Sequence, residues 1–202
     1  MVSDLNCGDY GEKSPSGWNP GGIALFAWES VSRMLTPLGD AGIQGLGNEA
    51  PVLAALKENV TAPGFYFFPA PENKPGMTKQ QQQQAMQVAM DKYRTGPAGM
   101  LIFHPDGAES LSPRQFLTQF GADVAVMLLA AFLLARAAGL SYAARLGLVT
   151  LMGLIPTLRS ELPYWNWYGF PGVYLAAQFT IHLVGFLVGG LILAWLIRPV
   201  PE

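Results

Sequence analysis

Charge is scarce in this sequence. Asp, Glu, Lys and Arg make up 13% of its 202 residues, against about 25% in an ordinary soluble domain. The formal net charge is −2 and no run of Lys or Arg occurs, so the electrostatic footprint of a nucleic-acid-binding protein is missing. The single cysteine, Cys7, excludes an internal disulfide framework and any multi-thiolate metal site. Nor does Cys7 follow the apolar run expected of a lipid attachment site. The first twenty residues lack the basic start and apolar core of a secretory signal, so delivery to a membrane rests on helices further along. No P-loop, HExxH, GxSxG or dinucleotide fingerprint is present. His104, beside Pro105 and Asp106 and near Ser110, is the one arrangement resembling a catalytic pair, and it reads more simply as an exposed histidine at a strand end.

Long apolar stretches are abundant instead, around Val124 to Ala135, Leu146 to Leu158 and Tyr174 to Ile197. Gly172 to Ile197 contains no Asp, Glu, Lys or Arg and makes roughly 39 Å of helix at about 1.5 Å per residue, enough to cross a hydrocarbon core of about 30 Å. In lipid every backbone amide needs a partner within its own segment, which leaves helix as the only conformation for a lone span. Ser112, Pro113 and Gln115 supply N-cap, N1 and N3 for another membrane helix running to about Ala138 and stopped by Gly139. Ser141 caps a third, from Tyr142 to about Leu158, which Pro156 bends or ends. A further candidate, Gly21 to Leu38, follows Pro20, contains Glu29 and Arg33, and either spans the membrane or lies in its interface. The fold expected is mainly α, a membrane bundle of about four transmembrane helices behind an irregular segment, residues 1–20.

Residues 39–111 are polar enough to form a small α+β insert outside the bilayer. Asn48 is placed to cap a short helix over Glu49 to Glu58, and the aromatic GFYFFP at Gly64 to Pro69 suggests a strand. Thr78 and Gln81 have capping-box spacing before a helix over Lys79 to Tyr93, with Met86, Ala89, Met90 and Tyr93 on one face. The Gln80 to Gln84 run reads as the solvated face of that helix. A second strand, Gly99 to His104, closes a unit whose core is so thin that it should pack on the membrane helices or on another subunit. With four spans, Arg136, Arg145 and Arg198 fall on the side of the N-terminus, opposite Arg159. The positive-inside rule then puts both termini in the cytoplasm and the insert outside; with three spans, the N-terminus moves out and the insert stays where it is.

The ionisable residues inside apolar helices are the candidate site. Asp123 and His182 lie at similar distances from the starts of their helices, so they are expected at nearly one depth and able to pair. Gln178, His182, Gly185 and Gly189 form one stripe, a polar pair followed by a GxxxG contact, which should face the bundle. Glu29 can join them, with Arg33 as its i+4 counter-ion. Such groups are either a proton, ion or ligand site or interhelical hydrogen-bonding glue, with glue the simpler account. A lone membrane histidine also invites haem ligation, but no second helical histidine completes such a site, and the cofactor question stays open. Tyr164, Trp165, Trp167 and Tyr168 crowd the outer boundary as an interfacial aromatic rim, which anchors the helices at headgroup level or lines a groove for a flat ligand.

Two stretches, FAWESVSRMLTPLGDAGIQGLGNEAPVLAALKENVTAPGFYFFP and YAARLGLVTLMGLIPTLRSELPYWNWYGFP, resemble a group of uncharacterised bacterial integral membrane proteins. Those open with a helix of the GGxxxFxWxxxS type and end in a WNWYGFP loop and a last membrane helix. The likeness covers most of Gly21 to Ile197. It implies a multi-pass protein of the bacterial inner membrane with a spanning first helix, and it brings no activity. This chain differs in the polar residues ahead of that helix and in its Glu29 and Arg33. Absent chemistry and ample contact surface together favour a non-catalytic accessory or assembly subunit, with the bilayer and other membrane subunits as partners. The alternatives are a small permease or proton-coupled transporter and an enzyme acting on a lipid or quinone.

Overall fold

The computed structural model describes residues 19–137 and 139–197; most of the irregular N-terminal segment, Cys7 and Arg198 lie outside them. The chain is mainly helical, in the order α1 (Pro20–Met34), α2 (Glu49–Asn59), β1 (Gly64–Phe68), α3 (Lys79–Thr95), β2 (Gly99–Phe103), α4 (Pro113–Arg136), α5 (Tyr142–Met152), α6 (Leu154–Pro156), a π-helical turn (Thr157–Glu161), α7 (Leu162–Tyr168) and α8 (Gly172–Leu196). Two helices, α4 and α8, are long and apolar enough to cross a membrane.

Local chemistry sets the helix ends. Asn19 accepts from the amides of Gly21 and Gly22 at 3.1 and 3.3 Å and starts α1. The helix stops at Met34, short of the expected Leu38, because Thr36 precedes Pro37 and a residue before proline is forced out of helical geometry. At 15 residues it reaches about 22 Å. The Thr78–Gln81 and Ser112–Gln115 capping boxes both form. Asn48 stands at the N-cap of α2, but its side chain makes no capping hydrogen bond.

The third apolar stretch differs from expectation. Instead of ending near Leu158 and giving way to an aromatic loop, the chain stays helical to Tyr168. Pro156 and Pro163 both lack the N–H that a regular α-helix uses, and the segment between them widens into the π turn. Gly169, at φ +71, ends α7 in the left-handed conformation that favours glycine.

α1 runs antiparallel to both α4 and α8. Along α1, Gly22 meets Val124 and Phe26 meets Phe120, while Gly21 meets Leu193 and Leu25 meets Gly185. The sequence numbers fall on α4 and α8 as they rise on α1. Similarly Arg145 lies at Ala194, Val149 at Gly190 and Gly153 at His182, so α5 runs against α8. The core is built from Leu25, Met127, Ala130, Leu134, Val149, Phe186 and Leu193. One end of the bundle gathers the start of α1, the end of α4 and Arg145; the other carries the π turn, the start of α8 and the insert.

The insert has little interior. β1 and β2 form an antiparallel pair, Gly64 opposite Phe103 and Phe68 opposite Gly99, with α3 in the connection between them. No residue of α2 is buried, and α3 buries only Ala89. The face expected to hold Met86, Met90 and Tyr93 is therefore open to solvent, and Gln80 to Gln84 are exposed beside it.

Candidate functional site

The polar residues of the bundle converge near the insert-bearing end, where α1, α4 and α8 approach closely. Close approach depends on missing side chains. A Cβ on Gly185 would lie 2.7 Å from Leu25 Cδ1 and 3.1 Å from Trp28 Cδ1, and one on Gly189 would meet the Met127 thioether at 2.8 Å. Gln178, Gly185 and Gly189 are buried, so this stripe of α8 faces its neighbours. With the helices in contact, the Trp28 indole donates to the carbonyl of Ile181 at 2.9 Å and ties α1 to α8 one turn before Gly185.

Glu29, 8% exposed, occupies the centre of the cluster. Its Oε2 accepts from Arg33 Nε at 2.9 Å, and its Oε1 lies 3.6 Å from His182 Nδ1. The second distance is too long for a hydrogen bond and becomes an ion pair when the imidazole is protonated. Asp123, 6% exposed, accepts from Gln119 Nε2 at 2.8 Å. The Asp123–His182 pair expected from helix counting does not form; Glu29 is the partner of His182. The helices are not flush. Met127 sits at Gly189 and Phe120 at the level of Phe26, so α8 projects further toward the insert, and Asp123 lies deeper than His182 by roughly one helical turn, about 5 Å.

Two of these groups are left incomplete. Asp123 Oδ2 and His182 Nε2 are buried and have no hydrogen-bond partner among the described residues, and the same holds for Thr157 Oγ1 and Glu161 Oε2 in the π turn. A buried polar atom without a partner costs roughly 1–3 kcal/mol unless water or a ligand reaches it.

The aromatic rim divides in two. Tyr164 and Tyr168 belong to a series of ring contacts that begins in the insert: Phe65 to Phe67, Phe67 to Tyr168, Tyr168 to Tyr164, and on to Phe170 and Tyr174, with centroids 5.2 to 5.9 Å apart. These rings seat the insert on the bundle. Trp165 and Trp167 take no part in that series; Trp165 lies beside Gly172, and Trp167 is 74% exposed.

Sequence reasoning missed several participants. Gln119 carried a signal, its i, i+4 spacing to Asp123 on an apolar helix. Trp28 and Arg145 carried none, because Ile181 and Ala194, the partners on another helix, lie far along the chain. Arg145 is buried, donating from Nε and Nη2 to the carbonyl of Ala194 at 3.2 and 2.9 Å and from Nη1 to that of Leu140 at 2.7 Å. It thereby satisfies a carbonyl in the last turn of α8, where a cation also suits the helix dipole. Among the described residues no cluster of three or more His, Cys, Asp or Glu side chains is arranged to hold a metal ion.

No family model matches the sequence. No match was found among curated proteins or solved structures either.

Proposed function

We propose that this chain is a multi-pass protein of the bacterial inner membrane that serves as a non-catalytic accessory or assembly subunit. The observation that carries this reading is the unburied apolar surface of the insert. Phe65, Phe67, Phe68 and Ile102 on the strands, and Met86, Val88, Met90 and Tyr93 on α3, are all exposed, Ile102 by 72%. A self-sufficient extramembrane domain buries such residues, whereas one completed by another protein displays them. The four-span topology gains support from α1, which packs lengthwise against both α4 and α8 rather than across their ends. Its termini-in orientation is supported by Arg136 and Arg145 gathering at the end opposite the insert.

The test is purification from native membranes in mild detergent. The wild-type chain should migrate in a stoichiometric complex, and Phe65→Ser with Ile102→Ser should release it while leaving membrane insertion intact. A monomeric wild-type particle, free of partners, refutes the reading.

A second reading, a proton-coupled permease, is favoured by the buried, unpartnered Asp123 Oδ2 and His182 Nε2. Asp123→Asn and His182→Ala separate the two. Both abolish flux in liposomes if the residues relay protons, and they only alter stability if the residues join helices. The enzyme reading has less behind it, since Tyr164 and Tyr168 are engaged with other rings.

A further inference from the structure

Between the second half of α1 and the start of α4 lies an open cleft of about 380 Å³, whose walls include Phe26, Glu29, Arg33, Leu111, Phe116 and Gln119. That volume is in the range of small-ligand sites, about 300–1,000 Å³. One side is aromatic and aliphatic; the other carries the Glu29–Arg33 ion pair, of which Arg33 is the more exposed member.

Most polar groups around the cleft are already committed. Gln119 Nε2 donates to Asp123, and Gln115 Nε2 donates to the carbonyl of Glu109 at 3.1 Å. Glu29, itself a lining residue, turns one oxygen to Arg33 Nε and the other toward His182, and so helps to hold the guanidinium in place. Arg33 has spent only Nε. The guanidinium as a whole is ion-paired with Glu29, but among the described residues its Nη1 and Nη2 take part in no hydrogen bond, and its side chain is 41% exposed. A fixed guanidinium with two free terminal nitrogens matches the oxygens of a phosphate in a two-pronged contact. Leu111 borders the opening at φ 58, a left-handed conformation uncommon for leucine.

We propose that this cleft binds a phosphate-bearing amphiphile, with its phosphate on the Arg33 guanidinium and its chain against Phe26 and Phe116. The inference goes beyond the assembly role, and its test needs no protein partner. Native mass spectrometry of the full chain in detergent reads it directly, after incubation with phosphatidic acid or with diacylglycerol of the same acyl chains. Phosphatidic acid should occupy the protein about tenfold more than diacylglycerol. Arg33→Gln should bring the two to parity, while Arg136→Gln, at the far end of α4, should leave the preference intact. Ser30 also lines the cleft, and Ser30→Phe fills it without touching the charge. It should remove lipid occupancy as well, and it carries the test where Arg33→Gln folds poorly. Equal occupancy by the two lipids overturns the proposal, as does an unchanged preference in both cleft variants. Displacement by millimolar inorganic phosphate overturns it too, reassigning the site to a free anion.

Discussion

Replacing Gly22 by alanine puts a methyl carbon 2.7 Å from the Cα of Val124 and 3.2 Å from its amide nitrogen. Carbon atoms rest at about 3.5–4.0 Å, and the obstacle is backbone, so no change of rotamer relieves the overlap. The axes of α1 and α4 have to part by about 1 Å. Parting is resisted on both sides, by the Asn19 Nδ2 contact with the carbonyl of Val124 at 3.5 Å and by the Phe26–Phe120 ring pair. Overpacking of this kind costs about 1–3 kcal/mol. Alanine returns at most about 1 kcal/mol of helix propensity over glycine, and less in the first turn, where Gly22 sits. The net expectation is a loss of about 1–2 kcal/mol. Gly121 supplies the control: it lies within α4, and a Cβ there meets nothing within 4 Å, so Gly121→Ala keeps only the propensity gain. Denaturant titration in mixed micelles, followed by far-ultraviolet circular dichroism, should therefore move the two midpoints in opposite directions. A Gly22→Ala protein as stable as wild type would refute the close α1–α4 contact.

Arg145→Met removes all three guanidinium hydrogen bonds and leaves the Ala194 carbonyl buried without its donor; a loss of about 2–3 kcal/mol is expected in the same titration, with Arg145→Lys recovering part. Equal stability of the methionine variant would show that the end of α8 is satisfied another way. Trp28→Phe keeps the ring against Gly185 but loses the bond to Ile181, and should cost about 1 kcal/mol; no change would mean the indole N–H finds water instead. Ser112→Ala deletes one half of the capping box and should cost about 1 kcal/mol, visible as faster hydrogen exchange confined to the first turn of α4. Uniform acceleration along α4 would contradict a local capping role.

What the sequence reveals of this fold is what depends on near neighbours. Ser112, Pro113 and Gln115 mark the start of α4 because the cap, the proline and the glutamine act within one turn, and Thr78 with Gln81 does the same for α3. Pro156 misleads for the opposite reason. A proline predicts a break, but whether the chain leaves the helix or widens for a turn depends on packing against α8, which the local pattern does not encode. The Asp123–His182 pairing fails through an unstated assumption that helix starts share a plane, whereas the stagger is fixed by which glycines admit which side chains: Gly189 takes Met127 and Gly185 takes Leu25 and Trp28. Arg145 enters a charge count as one cation among several, and only its contact with Ala194 on another helix reveals what it holds together.

The insert and the polar cluster are joined mechanically. The chain enters the insert from the end of α1 and returns at the start of α4, and these two segments are the walls of the Arg33 cleft. A third attachment, the Phe67–Tyr168 ring contact at 5.6 Å, reaches α7 just beyond the π turn in which Thr157 and Glu161 bury unpartnered oxygens. Under the proposed assembly role, a protein seated on the exposed strands would bear on segments joined to both walls of the cleft and on α7, next to the π turn. The least satisfied polar groups of the bundle sit where that load arrives, and a site held by incomplete hydrogen bonding yields to such a force more readily than the glycine-packed contacts below it. Where both proposals hold, docking on the insert and occupancy of the cleft would influence one another, and thermodynamic reciprocity requires that each change the affinity of the other by the same factor.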